Sequence, residues 1–182
     1  KWEKAQEYCS EVLKRDDLSV LQKAGLYGTL MDLKCNPLKQ HEEALEIALD
    51  VLQQLDCNFP KYQLTRASAG LKNLYKLRHP PAEQEIAKLP AMKDPVKLMA
   101  ASMMSKAFPL THYTKSFLLA VLLSVRMVRW TLQFGISDDS PSAFAGLGMM
   151  INQLLGDFEN GSKYCDIALS MLEQTPSRKK HA

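Results

Sequence analysis

The 182 residues are enough for one sizeable domain, and a composition of 46% hydrophobic and 24% charged residues excludes wholesale disorder. The net charge of +3 comes from the basic residues at 178–180, because the remainder carries 20 basic and 20 acidic residues. Because the rest of the chain has no net charge, it lacks the positive field that attracts nucleic-acid phosphates, and we expect no nucleic-acid partner. We interpret residues 176–182 as a solvated basic tail, with weak anion binding as the alternative.

Helix-forming residues dominate the chain, and runs of β-branched residues are almost missing. Apolar residues recur at three- and four-residue spacing, which predicts an all-α fold of about eight or nine helices arranged as antiparallel hairpins. The second helix should be capped by the pair Asp16-Asp17 and end at Asn36-Pro37. In the first half we expect helices over about 2–14, 18–35, 40–56 and 61–77, and a short one within 82–88.

Residues 89–95 form the longest non-helical segment of the chain, and it is either a hinge or a rigid packed elbow. It separates N-terminal hairpins (1–88) from C-terminal hairpins (96–175), which we expect to pack together as one continuous domain. Pro109 should break a helix over 96–108. The next helix, about 113–134, is apolar on nearly every side and should lie in the middle of the core. Two further helices are predicted, one ending near residue 155 and one over about 158–173.

The cysteines and the apolar runs indicate the cellular setting. The nearest two cysteines, Cys35 and Cys57, lie 22 residues apart, so no paired metal or redox motif exists, and we predict a reducing, cytoplasmic protein. The most apolar run, 117–125, is too short to span a bilayer before arginines interrupt it, so no membrane contact is expected. The first residues are not a signal peptide, and we expect the natural protein to continue upstream.

A repeat is visible in the helical pattern. Residues 2–9 return 39 positions later as 41–48, and 166–172 is similar to 46–52. Residues 145–172 resemble a tetratricopeptide repeat, although that family's aromatic residue and Leu-Gly pair are absent and residues 61–110 do not fit the period. Small residues at fixed positions let neighbouring hairpins stack. The proposed repeat-packing residues are Ala5, Cys9, Ala44, Ala48, Gly156, Gly161, Cys165 and Ala168.

Four motifs extend this resemblance over about residues 20–173. They are Leu-Pro-Ala-Met-Lys-Asp-Pro at 89–95, Met-Val-Arg-Trp-Thr-Leu-Gln-Phe-Gly at 127–135, Ser-Pro-Ser-Ala-Phe-Ala at 140–145 and Gly-Asp-Phe-Glu at 156–159. Together they resemble the tetratricopeptide-like helical region of large signalling AAA-type ATPases. In that family a kinase-like domain and an ATPase precede this region, and a sensor histidine kinase often follows. The resemblance implies a non-catalytic scaffold or coupling module that binds a protein partner, a peptide or flanking domains of the same chain.

We predict no catalytic, cofactor-binding or metal site. The chain has no glycine-rich phosphate-binding motif, and His41-Glu42-Glu43 lacks the second histidine, four residues on, that a zinc helix would need. The adjacent carboxylates Asp138 and Asp139 are better explained as helix caps.

The candidate partner-binding residues are Arg126, Arg129 and Trp130, on the otherwise apolar central helix. Buried arginine needs a partner, so an ordinary salt bridge to a carboxylate is the competing interpretation. The functional interpretation is a groove that holds an acidic partner segment or ligand. A methionine cluster (Met99, Met103, Met104) fits core filling or an adaptable binding surface. The alternative function is a small-molecule-sensing domain with a ligand pocket near the central helix.

Overall fold

The computed structural model describes residues 2–36, 38–60 and 63–174, and these ranges are all-α, as predicted. The predicted tail at 176–182 lies outside the described residues. Nine helices are present in the described part of the chain. They are α1 (Trp2–Leu13), α2 (Ala24–Cys35), α3 (His41–Gln54), α4 (Gln63–Lys76), α5 (Glu83–Ile86), α6 (Pro95–Tyr113), α7 (Phe117–Phe134), α8 (Ser140–Leu155) and α9 (Phe158–Gln174).

Helix α2 begins at Ala24, later than predicted, because a separate capped turn precedes it. The backbone N–H of Ser19 donates to Gln22 Oε1 at 2.8 Å, and that of Gln22 donates to Ser19 Oγ at 3.3 Å. This reciprocal pair has the form of a capping box. The prediction that the aspartate pair caps α2 is wrong, since Asp17 accepts from Arg15 instead and no side chain caps the first turn of α2.

Helix α6 continues through Pro109, where we had predicted a break, and that prediction is wrong. A proline inside a helix costs about 3 kcal/mol or more, because it removes one hydrogen bond and crowds the preceding turn. Met104 and Ala107 before the proline and Leu110 after it are all buried in the main core. A break at residue 109 would take Leu110 out of that core, so tertiary packing outweighs the local preference.

The central position predicted for the apolar helix is confirmed for α7. Helix α7 packs against α4, α6 and α8, and residues such as Leu119, Leu123 and Val128 are buried. It has the length and mean hydropathy (1.4) of a membrane span, yet 56% of it is buried against the rest of the protein. The other main contacts join α1 to α2, α2 to α3, α3 to α6 and α8 to α9. The array is therefore not a plain succession of neighbouring hairpins, because α3 packs on α6 and α4 packs on α7.

The 89–95 segment is held against the connection between α7 and α8. The N–H of Met92 donates to the carbonyl of Ile136, and the N–H of Ile136 donates to the carbonyl of Pro90, both at 2.8 Å. Gly135 has φ of 107°, and a Cβ there would lie 2.2 Å from the oxygen of Pro90. This backbone pairing favours the packed elbow over the hinge.

Helices α8 and α9 approach closely after a tight turn at Gly156, whose φ is 64°. A Cβ on Gly148 would lie 2.6 Å from the carbonyl oxygen of Gly161, and a Cβ on Gly161 would lie 2.8 Å from the carbonyl oxygen of Gly148. The absence of side chains at both positions lets the two backbones touch. Of the predicted packing residues, Cys9, Ala44, Ala48, Gly161 and Ala168 are buried, Ala5 and Cys165 are half-buried, and Gly156 is exposed.

Candidate functional site

Two of the three predicted partner-binding residues line one shallow groove. Arg126 and Arg129 lie three residues apart on α7, which places them on the same face of the helix. The groove encloses about 110 Å³ between α7, α4 and the 57–60 loop. Arg126 is half-buried and Arg129 is exposed. The other lining residues are Phe59, Pro60, Asn73, Leu122 and Val125. We call this the arginine groove.

Both guanidinium groups have only neutral partners in the described part of the chain. Arg126 Nη2 donates to the carbonyl of Asn58 at 3.4 Å, and Nη1 donates to Cys57 Sγ at 3.7 Å. The Arg126 guanidinium also lies over the ring of Phe59, 5.2 Å from its centroid. Arg129 Nη1 donates to Asn73 Oδ1 at 3.3 Å.

The salt bridge considered for these arginines is therefore absent from the described residues, whose ion pairs include neither of them. The two hydrogen bonds to oxygen acceptors, at 3.4 and 3.3 Å, are longer than the usual range of about 2.7–3.2 Å and correspondingly weak. An incoming carboxylate could accept two shorter, charge-assisted bonds from one guanidinium, each roughly twice as strong as a neutral bond. The geometry leaves both arginines able to exchange weak partners for an anion.

Trp130 lies elsewhere than predicted. It is half-buried, packs edge-on against Phe134 with ring centroids 6.0 Å apart, and does not line the arginine groove. Lys97 Nζ lies 4.8 Å from the Trp130 centroid and 4.7 Å from that of Phe134. The indole thus belongs to a packed cluster between α6 and α7 under a lysine.

The buried thiol of Cys57 lies beneath the groove, close enough to Arg126 for its charge to affect the pKa of the thiol. Burial raises the pKa of Cys57, and the positive charges of Arg126 and Lys97 oppose that rise. The Cys57 side chain therefore lies within the field of both cations while remaining 1% exposed. It is a poor nucleophile in this position, because the thiolate is the reactive form.

A second groove lies on the other side of the 57–59 loop and carries the opposite charge. Glu46 and Asp50 line it together with Gln53 and the loop residues. Phe59 borders both grooves. The nearby carboxylates make no ion pair with Arg126 or Arg129, so the charges of the two grooves remain separate.

The methionine cluster belongs to the core. Met99, Met103 and Met104 are 6%, 3% and 0% exposed and lie in the main hydrophobic core, and Met99 and Met103 also border a surface groove beside Lys106. Within the described ranges, no group of three or more histidine, cysteine, aspartate or glutamate side chains is placed to hold a metal.

Phe59 and Asn73 complete the arginine groove, and sequence reasoning did not select them. Phe59 falls between two predicted helices, and Asn73 falls within the helix predicted over 61–77, but the sequence analysis singles out neither. The available signal is Pro60 directly after Phe59, because proline favours turns. Comparisons of the chain with protein-family models, curated proteins and solved structures find no match.

Proposed function

We propose that this chain is a non-catalytic helical scaffold or coupling module of a larger cytoplasmic signalling protein, and that it binds an acidic segment of a partner protein or neighbouring domain. The observation that carries the proposal is the pair of guanidinium groups in the arginine groove, with only neutral partners among the described residues. The tetratricopeptide-like arrangement and the resemblance to signalling ATPases belong to the same proposal. They account for a chain of packed helices with no predicted reaction centre.

The chemistry of the groove favours a carboxylate over other groups. Arginine presents planar forked donors that match a carboxylate in two parallel hydrogen bonds. Half-buried Phe59 and Pro60 beside the cations provide apolar contact area for a neighbouring apolar residue of the partner, above the more deeply buried Leu122 and Val125. A volume of about 110 Å³ suits one side chain and is below the roughly 300–1,000 Å³ of pockets for small organic ligands. These dimensions support a peptide over the alternative of a small molecule sensed beside the central helix.

A fluorescein-labelled peptide of glutamate and leucine residues tests the proposal by fluorescence anisotropy, with a glutamine-for-glutamate peptide as the comparison. Charge-assisted hydrogen bonds contribute roughly 1.5–3 kcal/mol, so the double variant Arg126→Gln/Arg129→Gln should bind the acidic peptide about ten- to a hundredfold more weakly. Lys163→Gln is the matched control, because it removes a charge from an exposed ion pair on α9 far along the chain.

The stability of the same variants separates a docking role from a structural one. Because the two arginines have weak neutral partners, the double variant should unfold within a few degrees of the parent protein. Equal binding of both peptides, or unchanged binding by the double variant, contradicts the docking proposal. A large loss of thermal stability would instead place the arginines in the structural core.

A further inference from the structure

A separate cavity, which shares no lining residue with the arginine groove, lies where four segments of the chain meet. Helix α5, the 89–91 elbow, the connection between α7 and α8, and the last turns of α9 enclose about 350 Å³. This volume falls within the range of small-ligand pockets. We call it the elbow cavity. Its lining residues are Glu83, Ile86, Ala87, Leu89, Ala91, Ile136, Ser137, Asp138, Ile167, Ser170 and Met171.

The walls of the elbow cavity are fixed to one another by hydrogen bonds. The backbone pairing between residues 90–92 and Ile136 joins the elbow to the α7–α8 connection. Across the cavity, Ser170 Oγ donates to Glu83 Oε1 at 2.5 Å and so joins α9 to α5. Buried Ser137 receives further support from Ser140, whose Oγ accepts from the Ser137 N–H at 2.9 Å. The cavity is thus preformed, which lowers the ordering cost of binding a ligand.

Its lining combines an apolar floor with two carboxylates. The apolar floor combines Ile86, Ile167 and Met171, which are only 3%, 5% and 6% exposed, with half-buried Leu89 and Ile136, which present more of their surface to the cavity. Glu83 and Asp138 come from separate elements, and no lysine, arginine or histidine is among the described lining residues. The prediction that Asp138 and Asp139 cap a helix with their side chains is wrong: Asp139 occupies the N-cap position of α8 but makes no side-chain capping hydrogen bond. The Asp138 carboxylate makes no hydrogen bond or ion pair with the described residues.

We propose that the elbow cavity binds an organic cation with an apolar body, a primary amine attached to a ring or short alkyl chain. The apolar body would rest on the isoleucine and methionine floor and release ordered water. The ammonium group would donate to Asp138, and Glu83 would add a second negative charge while it still accepts from Ser170. An anion of the same size meets two like charges, so the site discriminates by charge as well as by shape.

Three probes that share the 2-phenylethyl group test the assignment: 2-phenylethylamine, the neutral 2-phenylethanol and the slightly larger, anionic 3-phenylpropionate. Methyl signals of Ile86, Ile136, Ile167 and Met171 in an isoleucine- and methionine-labelled sample report occupancy of the cavity by NMR. The amine should bind about two- to fivefold more tightly than the alcohol, as measured from these shifts, because Glu83 and Asp138 are exposed and ion pairs of exposed groups contribute up to about 1 kcal/mol. The carboxylate should leave them in place.

Paired variants locate the interaction. Asp138→Asn/Glu83→Gln keeps side-chain shape and an acceptor for Ser170, and it should reduce amine binding to the level of the alcohol. Glu85→Gln is the matched control, because Glu85 is exposed on the same short helix and does not line the cavity. Ala87→Phe should weaken all binding by filling the cavity.

The outcomes decide the proposal. Equal affinity for amine and alcohol, shifts confined to other methyl groups, or no shift up to the solubility of the amine would each overturn it. The arginine groove is independent of this result, and Arg126→Gln should leave amine binding unchanged.

Discussion

The contact between α8 and α9 makes a quantitative prediction for Gly148→Ala. Alanine is favoured over glycine inside a helix by about 1 kcal/mol. At residue 148 the added Cβ would lie 2.6 Å from the backbone oxygen of Gly161 and 3.1 Å from Cys165 Sγ, so the helices must separate. Overpacking of this kind costs about 1–3 kcal/mol. Gly25→Ala is the control, because nothing lies within 4 Å of its Cβ position, so the propensity gain, which is at most that of a helix interior because Gly25 lies in the first turn of α2, is unopposed. We expect Gly148→Ala to be about 1–3 kcal/mol less stable than Gly25→Ala.

Urea unfolding followed by circular dichroism measures both variants on one scale. The urea midpoint of Gly148→Ala should be lower than that of Gly25→Ala. The slope m of the unfolding free energy against urea should stay constant, because neither change alters the surface exposed on unfolding. For a chain of this size each kcal/mol corresponds to roughly 2–4 °C in the melting temperature. If Gly148→Ala stabilised the protein as much as Gly25→Ala, the close approach of α8 and α9 would be refuted.

Two further predictions concern buried polar groups. Tyr164 is 0% exposed and its hydroxyl donates to the carbonyl of Leu77 at 2.7 Å, so Tyr164→Phe should cost about 0.5–1.5 kcal/mol in urea unfolding at pH 7. Burial raises the pKa of Tyr164, so the unfolded chain loses this proton first and stability falls as pH rises above about 10. The fall should be smaller in the Phe variant when unfolding at pH 9 and pH 11 is compared. Separately, the Lys34 side chain is 8% exposed and its Nζ donates to Glu43 Oε2 at 2.5 Å and to Gln40 Oε1 at 3.3 Å. Because Glu43 is 51% exposed and Gln40 remains as an acceptor, Glu43→Ala should destabilise by about 1 kcal/mol. Lys34→Met should cost less because it removes the buried charge, and an equal loss in urea unfolding would contradict this.

The helices could be predicted from the sequence because their signals are local. Apolar residues at three- and four-residue spacing marked every long helix, and Gly156 marked the turn before α9. One error occurred where tertiary packing overrides local preference, and the other where a local capping pair forms a separate turn. Pro109 lies inside α6 because Leu110 is needed in the core, and α2 starts late because Ser19 and Gln22 cap a separate turn.

The arginine groove and the elbow cavity could not be predicted in full, because each is formed by residues that lie far apart in the sequence. Arg126 and Arg129 stood out as charges on an apolar helix, and the helical period placed them on one face. Their relation to Phe59 and Asn73 arises only when α4 and the loop after α3 pack against α7. Trp130, one residue beyond Arg129, points to another cluster because one residue turns a helix by about 100°. The elbow cavity joins four segments, and no pattern within any one of them indicates it.

The position of the arginine groove limits how partner binding could act on the protein. Helix α7 is packed against α4, α6 and α8, so moving it would disturb three interfaces in a densely packed interior that resists small displacements. A bound carboxylate would instead compete with the carbonyl of Asn58 and the amide of Asn73, which hold the arginines through long, weak bonds. Asn58 is exposed and can turn to water when it loses its donor. Binding should therefore rearrange the 57–60 loop first, and a coupling role requires a flanking domain that contacts this loop or α4.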